Sequence, residues 1–140
     1  MLARIWIIVL LTSFYACQTE TDSTANPEHI MMAQQFMTAL TQGQFVGASL
    51  TLAPSLTASM SPEKLGSTFA DIESVHGIFQ RMHGVRASTI DKWNVVYLRS
   101  AHEKAGKTKD IDLRLVFDKS NRIEGLWFRP TDLHKMYSPL

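Results

Sequence analysis

The chain of 140 residues has a single cysteine, Cys17, and lacks the motifs of the common metal and cofactor sites. One cysteine cannot form an internal disulfide, which excludes the disulfide-rich secreted domains. His76 and His83 flank a predicted turn, but no third ligand stands at a useful spacing. Glycine-rich phosphate loops and the G-x-S-x-G nucleophile elbow are absent as well. The sequence therefore predicts no metal and no cofactor.

Charge of either sign is sparse, and the formal net charge of +1 argues against a nucleic-acid-binding protein. The two halves nevertheless differ. Residues 17–80 hold six acidic residues and one lysine, whereas residues 81–140 hold twelve basic and seven acidic residues. Their net charges are therefore −5 and +5. In one interpretation these charges mix over one surface. In the other, the second half forms a basic sheet face for an anionic partner or ligand.

The apolar run near the start of the sequence is too short to span a bilayer as a helix. This run, Ile5 to Ala16, contains no charge and has 12 residues, whereas a membrane span needs about 20. A short apolar run that follows Arg4 is typical of the central region of an export signal. We therefore predict that residues 1–16 are a signal peptide.

The residues around the cysteine, Phe14-Tyr15-Ala16-Cys17, resemble the bacterial lipobox. In that motif the peptide is cut before the cysteine, which is then modified with lipid. The resemblance implies that Cys17 anchors the protein in the membrane, and Gln18 in the next place favours the outer membrane. A retained anchor helix and ordinary secretion are the alternatives. Residues 17–26 are predicted to be a tether, which would reach about 30 Å when extended.

Residues 27–76 have the spacing of helices. Three helices are predicted: the first begins at Asn26-Pro27-Glu28 and ends near Gly43, the second runs from Phe45 to Leu52, and the third begins at Ser61-Pro62-Glu63 and ends at Gly77. The third presents Leu65, Phe69, Ile72 and His76 on one face.

After Gly77 the apolar residues recur with a period of two, which is typical of strands. The predicted strands are Phe79 to Ser88 with a break at Gly84, Trp93 to Ala101, Ile111 to Phe117, and Ile123 to Phe128, with residues 102–108 as a hairpin turn. Helices followed by a meander predict an α+β domain over residues 27–130, with three helices covering one face of an antiparallel sheet of about four strands. Residues 131–140 are assigned to a C-terminal tail.

Four short segments together resemble an uncharacterised bacterial domain that often precedes α/β-hydrolase domains and is grouped with the nuclear-transport-factor-2-like superfamily. The segments are Gly43-Gln44-Phe45, Ser61-Pro62-Glu63-Lys64-Leu65, Gly77-Ile78-Phe79 and the closing Val116-Phe117-Asp118 to Phe128-Arg129-Pro130. The resemblance implies a cone-shaped fold with a curved sheet and often a cavity. The superfamily contains enzymes, ligand-binding proteins and dimerisation modules, so it implies no particular activity.

Aromatic and cationic residues of the predicted sheet are candidates for a ligand pocket. The predicted pocket residues are Phe69, His76, Tyr97, Arg99 and Trp127. Trp93 and Phe128 add to the aromatic area, and strand alternation predicts that Arg114 faces away from the helices. The same side chains need no ligand if they belong to the core or to a homodimer interface on the sheet.

Acid–base chemistry in a cavity is the alternative function. Asp71 or His76 would be the general base, with Tyr97 and Arg99 as partners, but their spacing fixes no acid–base pair. We therefore predict no catalytic residues. The expected function is that of a lipid-anchored envelope protein whose domain binds a small molecule or a protein partner. A cavity enzyme such as an isomerase or hydrolase, and a purely structural dimerisation module, are the alternatives.

Overall fold

The computed structural model describes residues 26–131 and 139–140. The predicted signal peptide, Cys17 and the tether up to residue 25 lie outside the described residues, as does most of the predicted tail. The described elements are α1 (Pro27–Thr41), α2 (Phe45–Ser49), α3 (Pro54–Thr57), α4 (Pro62–His76), β1 (Ile78–Ile90), β2 (Trp93–Lys104), β3 (Lys107–Phe117) and β4 (Ile123–Pro130). This order of helices and then strands confirms the α+β class.

The two long helices begin and end where their capping residues predict. The Asn26 side chain accepts a hydrogen bond from the Glu28 backbone N–H at 3.0 Å, which satisfies one of the free donors at the start of α1. Ser61 does the same for α4 by accepting from the backbone N–H of Lys64 at 3.2 Å. At the end of α4, Gly77 has φ +106°, a conformation that residues with a side chain rarely adopt.

The prediction of three helices is wrong, because the described chain has four. The predicted second helix, Phe45 to Leu52, ends in the structure at Ser49, and Pro54 begins a further short helix, α3. Ala53 is extended, as a residue before proline prefers, and the fixed φ of Pro54 suits the first position of a helix. Pro54 therefore acts as the start signal of a further helix.

The four strands form one antiparallel sheet in the order β1-β2-β3-β4, so each hairpin joins neighbours in sequence. The turn between β2 and β3 contains two residues, Ala105 and Gly106, with φ values of +52° and +72°. Positive φ at both central residues is typical of the tight turns that match strand twist. The predicted turn at residues 102–108 is therefore too long, because His102 to Lys104 continue β2 and Lys107 begins β3.

Strand β1 is longer than predicted and is not broken at Gly84. It runs through Ile78–Ile90 in continuous pairing with β2, with two register shifts near Gln80 and His83. Such bulges let one strand accommodate an extra residue while the ladder continues. The glycine predicted to interrupt the strand is instead paired directly with Arg99.

The helices cover one face of this sheet and form the core with it. Leu98, Leu113 and Leu115 are fully buried in this core, beneath Phe36, Met37 and Leu40 of α1. Burial of each such side chain contributes about 1.5–3 kcal/mol relative to leaving it in water. One face of the sheet therefore packs against the helices, and the opposite face is turned away from them.

Two buried histidines lie on the helix-covered side. The Nδ1 of His102 donates to the carbonyl oxygen of Gly77 at 2.9 Å, and its Nε2 lies 3.0 Å from the Ser100 hydroxyl. His29 donates from Nε2 to the Asn121 side-chain oxygen at 2.8 Å and stacks on Phe117. These contacts tie the helix ends to the sheet, because buried polar groups are costly without partners.

Candidate functional site

The face of the sheet opposite the helices, called the outer face below, is lined by cations and aromatic rings. Residues directly opposite each other in an antiparallel pair lie on the same face. The register places Arg86 opposite Tyr97, Tyr97 opposite Arg114, and Arg114 opposite Trp127. One row across all four strands therefore alternates arginine and aromatic side chains.

The rings and guanidinium groups of this row are in contact. The Arg86 guanidinium carbon lies 3.9 Å from the centre of the Tyr97 ring, and that of Arg114 lies 4.9 Å from the Trp127 ring. Such stacking is attractive by about 0.5–1 kcal/mol at exposed sites and more when water is excluded. The contacts place the positive charge of each arginine against the face of an aromatic ring.

The next row towards the β2–β3 turn is polar and ionic. It places Arg99, Asp112 and Arg129 side by side on β2, β3 and β4. Asp112 is buried; its Oδ1 accepts from Arg99 Nε and from the Thr131 hydroxyl, both at 3.1 Å. The alternation predicted for β3 is thus confirmed, since Asp112 and Arg114 lie opposite the core residues.

Towards the other end of the sheet the outer face forms an apolar groove. The groove has a volume of about 320 Å³ and is lined by Ile90, Trp93, Val95, Arg114, Val116, Glu124, Gly125 and Trp127. Arg114 is the cation of this groove, and its Nε is buried without a hydrogen-bond partner among residues 26–131 and 139–140. Val95 is 1% exposed and lies at the bottom, whereas Trp127 is 49% exposed and lies at the rim.

Gly125 sets the position of the Trp127 ring. A Cβ atom added to Gly125 would lie 2.6 Å from Cζ3 of that ring and closer still to Cη2. Real Cβ atoms do not approach other heavy atoms that closely, so the indole lies over the strand only because residue 125 has no side chain. The glycine thus permits the wall of the groove and the stacking of Trp127 against Arg114.

The residues predicted for one ligand pocket lie on both faces of the sheet. Tyr97, Arg99 and Trp127 lie on the outer face, in the two adjacent rows. Phe69 instead belongs to the core, where its ring lies 6.1 Å from that of Phe128. His76 ends α4 on the helix side. The sheet therefore brings three of the five predicted residues together and separates the other two from them.

The surroundings of His76 disfavour its charged form. Partial burial lowers the pKa of His76, and the positive charges of His102, Lys109 and Lys104 lower it further. Lys104 is close because its ammonium group donates to the carbonyl oxygens of Ser74 and Val75 at the end of α4. A protonated His76 would add charge to an end of the domain that is already cationic.

The candidates for acid–base chemistry do not form a pair. Asp71 is exposed on α4, and His76 lies at the end of the same helix, whereas Tyr97 and Arg99 are on the outer face. Within the described part of the chain, no three His, Cys, Asp or Glu side chains are grouped so that they could hold a metal. The sheet therefore separates Asp71 and His76 from Tyr97 and Arg99.

Several residues of the outer face were missed from the sequence. The strand that contains Arg86 has only weak alternation, and Gly125 lies within the closing family-like segment without a further signal of its own. The alternation of Arg86, Ser88 and Ile90 in β1 could have placed them on one face. The contact between Arg86 and Tyr97 depends on the register of β1 against β2, which runs without a shift from the pair Ile90 and Trp93 at the turn.

Comparison with known proteins places the chain in a family. A family model described as "protein of unknown function (DUF3887)" matches residues 33–126. The chain belongs to this family. No curated protein matches it. The match begins within α1 and ends within β4, so it includes Arg86, Tyr97, Arg114 and Gly125 of the outer face. In residues 26–131 and 139–140, no helix has both the length and the apolar character needed to cross a membrane.

Proposed function

We propose that this protein is a lipid-anchored, non-catalytic domain of the bacterial envelope that binds a small anionic molecule with a planar apolar body. The groove on the outer face is the binding site in this proposal. The observation that carries it is Arg114, whose buried Nε has no partner in the described chain while its guanidinium stacks on Trp127. An anionic group would accept from that donor, and a flat body would fill the apolar groove.

The charge of the outer face supports an anionic ligand over a cationic one. Each strand contributes one arginine to the two central rows: Arg86, Arg99, Arg114 and Arg129. Asp112 is the single acidic residue within these rows. The excess of positive charge would attract an anion before contact. Glu124 also lines the groove, and its negative charge limits this attraction to the part of the groove beside Arg114.

The proposal includes a place in the nuclear-transport-factor-2-like superfamily and a cone-shaped fold. Four helices on one face of a four-stranded antiparallel sheet agree with that description. It also includes export, lipid modification of Cys17, and the outer membrane as the site of the anchor. Palmitate labelling of the wild type and of Cys17→Ala tests the anchor, and equal labelling of both, or of neither, refutes it.

The binding site is tested with an aromatic sulfonate. Anilinonaphthalene sulfonate carries one negative charge on a flat apolar body, and its fluorescence rises in apolar surroundings. We expect saturable binding with energy transfer from Trp93 and Trp127, and weaker binding of the uncharged naphthalene sulfonamide. Arg114→Gln removes a charge-assisted hydrogen bond worth about 1.5–3 kcal/mol, so affinity for the sulfonate should fall roughly 10- to 100-fold.

The matched control is Arg81→Gln. Arg81 is exposed on the same sheet but near the opposite end, so this variant loses the same net charge without touching the groove. Its affinity should match that of the wild type. If both variants lose affinity equally, the charge of the whole protein governs binding and the groove is not the site. If neither loses affinity, Arg114 plays no part and the proposal fails.

Two exposed apolar residues favour a homodimer as the second candidate role of this face. Trp127 and Ile90 are 49% and 42% exposed, and both border the groove. A second copy would cover them and compete with the ligand. Sedimentation equilibrium over a range of concentrations distinguishes the two roles. A dimer that dissociates on Trp127→Ala supports the interface, and a strict monomer excludes it.

A further inference from the structure

The short helices α2 and α3 present an uncharged surface with large exposed apolar side chains. Val46 and Leu50, one helical turn apart, are 66% and 73% exposed. Pro54, Thr57 and Ala58 continue this surface and are also exposed. No Asp, Glu, Lys or Arg occurs between Glu28 and Pro62. We call this region the α2–α3 surface; it is distinct from the groove, which lies on the opposite side of the sheet.

A shallow hollow runs along this surface. It has a volume of about 460 Å³, and its lining includes Leu50, Leu52, Pro54, Thr57 and Ala58 together with Arg122. Arg122 is the one charged residue of the lining and donates from Nη1 to the Leu52 carbonyl at 3.4 Å. The hollow is therefore apolar along its length and cationic at one side.

The α2–α3 surface lies at the end of the domain where the chain enters it. Asn121 accepts from His29 at 2.8 Å and donates to the Glu28 carboxylate at 3.1 Å, so the β3–β4 turn touches the first turn of α1. The next residue, Arg122, lines the hollow. Ile123 then bonds with Thr51 and Ala53 on either side of Leu52. One short turn thus joins the start of α1 to the α2–α3 surface.

We propose that the α2–α3 surface rests on the lipid bilayer that holds the anchor. This proposal depends on the proposed lipid modification of Cys17. Asn26 is the ninth residue after Cys17, so the domain is held within about 30 Å of the bilayer even when that segment is extended. At such a distance a weak contact becomes intramolecular and is favoured by a high effective concentration.

The chemistry of the surface suits the interfacial region of a bilayer. In this proposal Leu50 and Val46 enter the interfacial layer without removing a charge from water, because α2 and α3 themselves carry none. Arg122 at the side of the hollow meets the lipid phosphates, which attract a cation at this depth. We favour the bilayer over a protein partner because the surface lies beside the start of α1, where the tether to the proposed anchor joins the domain.

The test places an environment-sensitive fluorophore at Leu50 in the full chain, held in vesicles of phosphatidylcholine and phosphatidylglycerol. Leu50→Cys carries the label, and Val75→Cys is the matched control. Val75 is similarly exposed, at 64%, but lies beside Lys104 at the opposite end of the sheet. Mass spectrometry first determines whether Cys17 is acylated; if it is not, both variants are made with Cys17→Ser so that one thiol reacts.

The expected result is an emission shift to shorter wavelength and quenching by lipids with a doxyl group on the acyl chain, at Leu50 and not at Val75. An acylated protein with no shift at Leu50 overturns the docking surface and leaves the anchor standing. A shift with quenching but without acylation supports the surface and refutes the anchor. A shift at Leu50 without quenching means that a second copy or another protein covers the surface, which also overturns the proposal.

Discussion

Replacement of Gly125 by alanine should damage the groove while leaving the domain folded. The new Cβ would lie 2.6 Å from Cζ3 of Trp127 and closer to Cη2, so the indole has to move by about 1 Å or rotate away. The ring can do so because Trp127 is about half exposed. Its stacking on Arg114 would be lost, along with one wall of the groove.

The cost to stability should be small because two effects oppose each other. Loss of an exposed cation–π contact costs about 0.5–1 kcal/mol. Alanine in a strand is favoured over glycine by about 0.5–1 kcal/mol, since its unfolded chain has less freedom. The free energy of unfolding of Gly125→Ala should therefore stay within about 1 kcal/mol of the wild type, a shift in Tm of no more than about 4–8 °C.

Binding of the aromatic sulfonate should respond far more strongly than stability does. With the wall displaced and the contact between Trp127 and the Arg114 guanidinium lost, affinity should fall about tenfold or more. Intrinsic tryptophan fluorescence should change as the ring of Trp127 moves into water. Thermal unfolding and fluorescence titration on the same samples compare the two effects. Unchanged affinity with changed fluorescence would show that Trp127 does not form the site, and large destabilisation would show that its ring cannot move.

Three further perturbations test how the domain is held together. Gly77→Ala should lower the free energy of unfolding in urea by at least about 2 kcal/mol. The reason is that φ is +106° and the new Cβ would lie 2.7 Å from the Lys104 backbone nitrogen, which cannot move aside. A loss below about 0.5 kcal/mol, which is the scatter of surface substitutions, would contradict this. Ser61→Ala removes the N-cap of α4 and should cost about 1 kcal/mol, whereas Ser61→Asp should retain most of it. The lowered pKa of His76 means that the unfolded chain binds its proton more readily, so stability falls as pH drops through the usual histidine range towards the lowered pKa. His76→Gln should flatten this dependence in urea unfolding between pH 5 and 8, and an identical pH profile in both proteins would refute the assignment.

The helix boundaries and the fold class could be predicted because they depend on residues close together in the chain. Asn26 and Ser61 each cap the N–H groups two or three residues ahead, and Gly77 permits a left-handed turn at its own position. Alternation in β3 likewise placed Arg114 and the buried leucines on opposite faces. The number of helices was missed for a local reason too, since Pro54 both follows one helix and starts another.

The composition of the candidate site could not be predicted in the same way. Phe69 and Tyr97 are both aromatic, but Phe69 lies in α4 on the core side of the sheet, whereas Tyr97 lies on the outer face of β2. Pairing across the strands sets the position of Tyr97 beside Arg86 and Arg114, and it depends on the short turns between Ile90 and Trp93 and at Ala105-Gly106. A shift of one residue in register would move every arginine of the outer face to the core side.

Local chemistry alone is therefore sufficient for the caps, the alternation and the order of the long elements. Assembly of the sheet was needed to align Arg86, Tyr97, Arg114 and Trp127 in one row and to lay an indole over Gly125. The physical reason is distance along the chain. Capping and alternation act over two to four residues, whereas Arg86 and Trp127 are brought into one row through three hairpins whose registers are set by the packing of the whole domain.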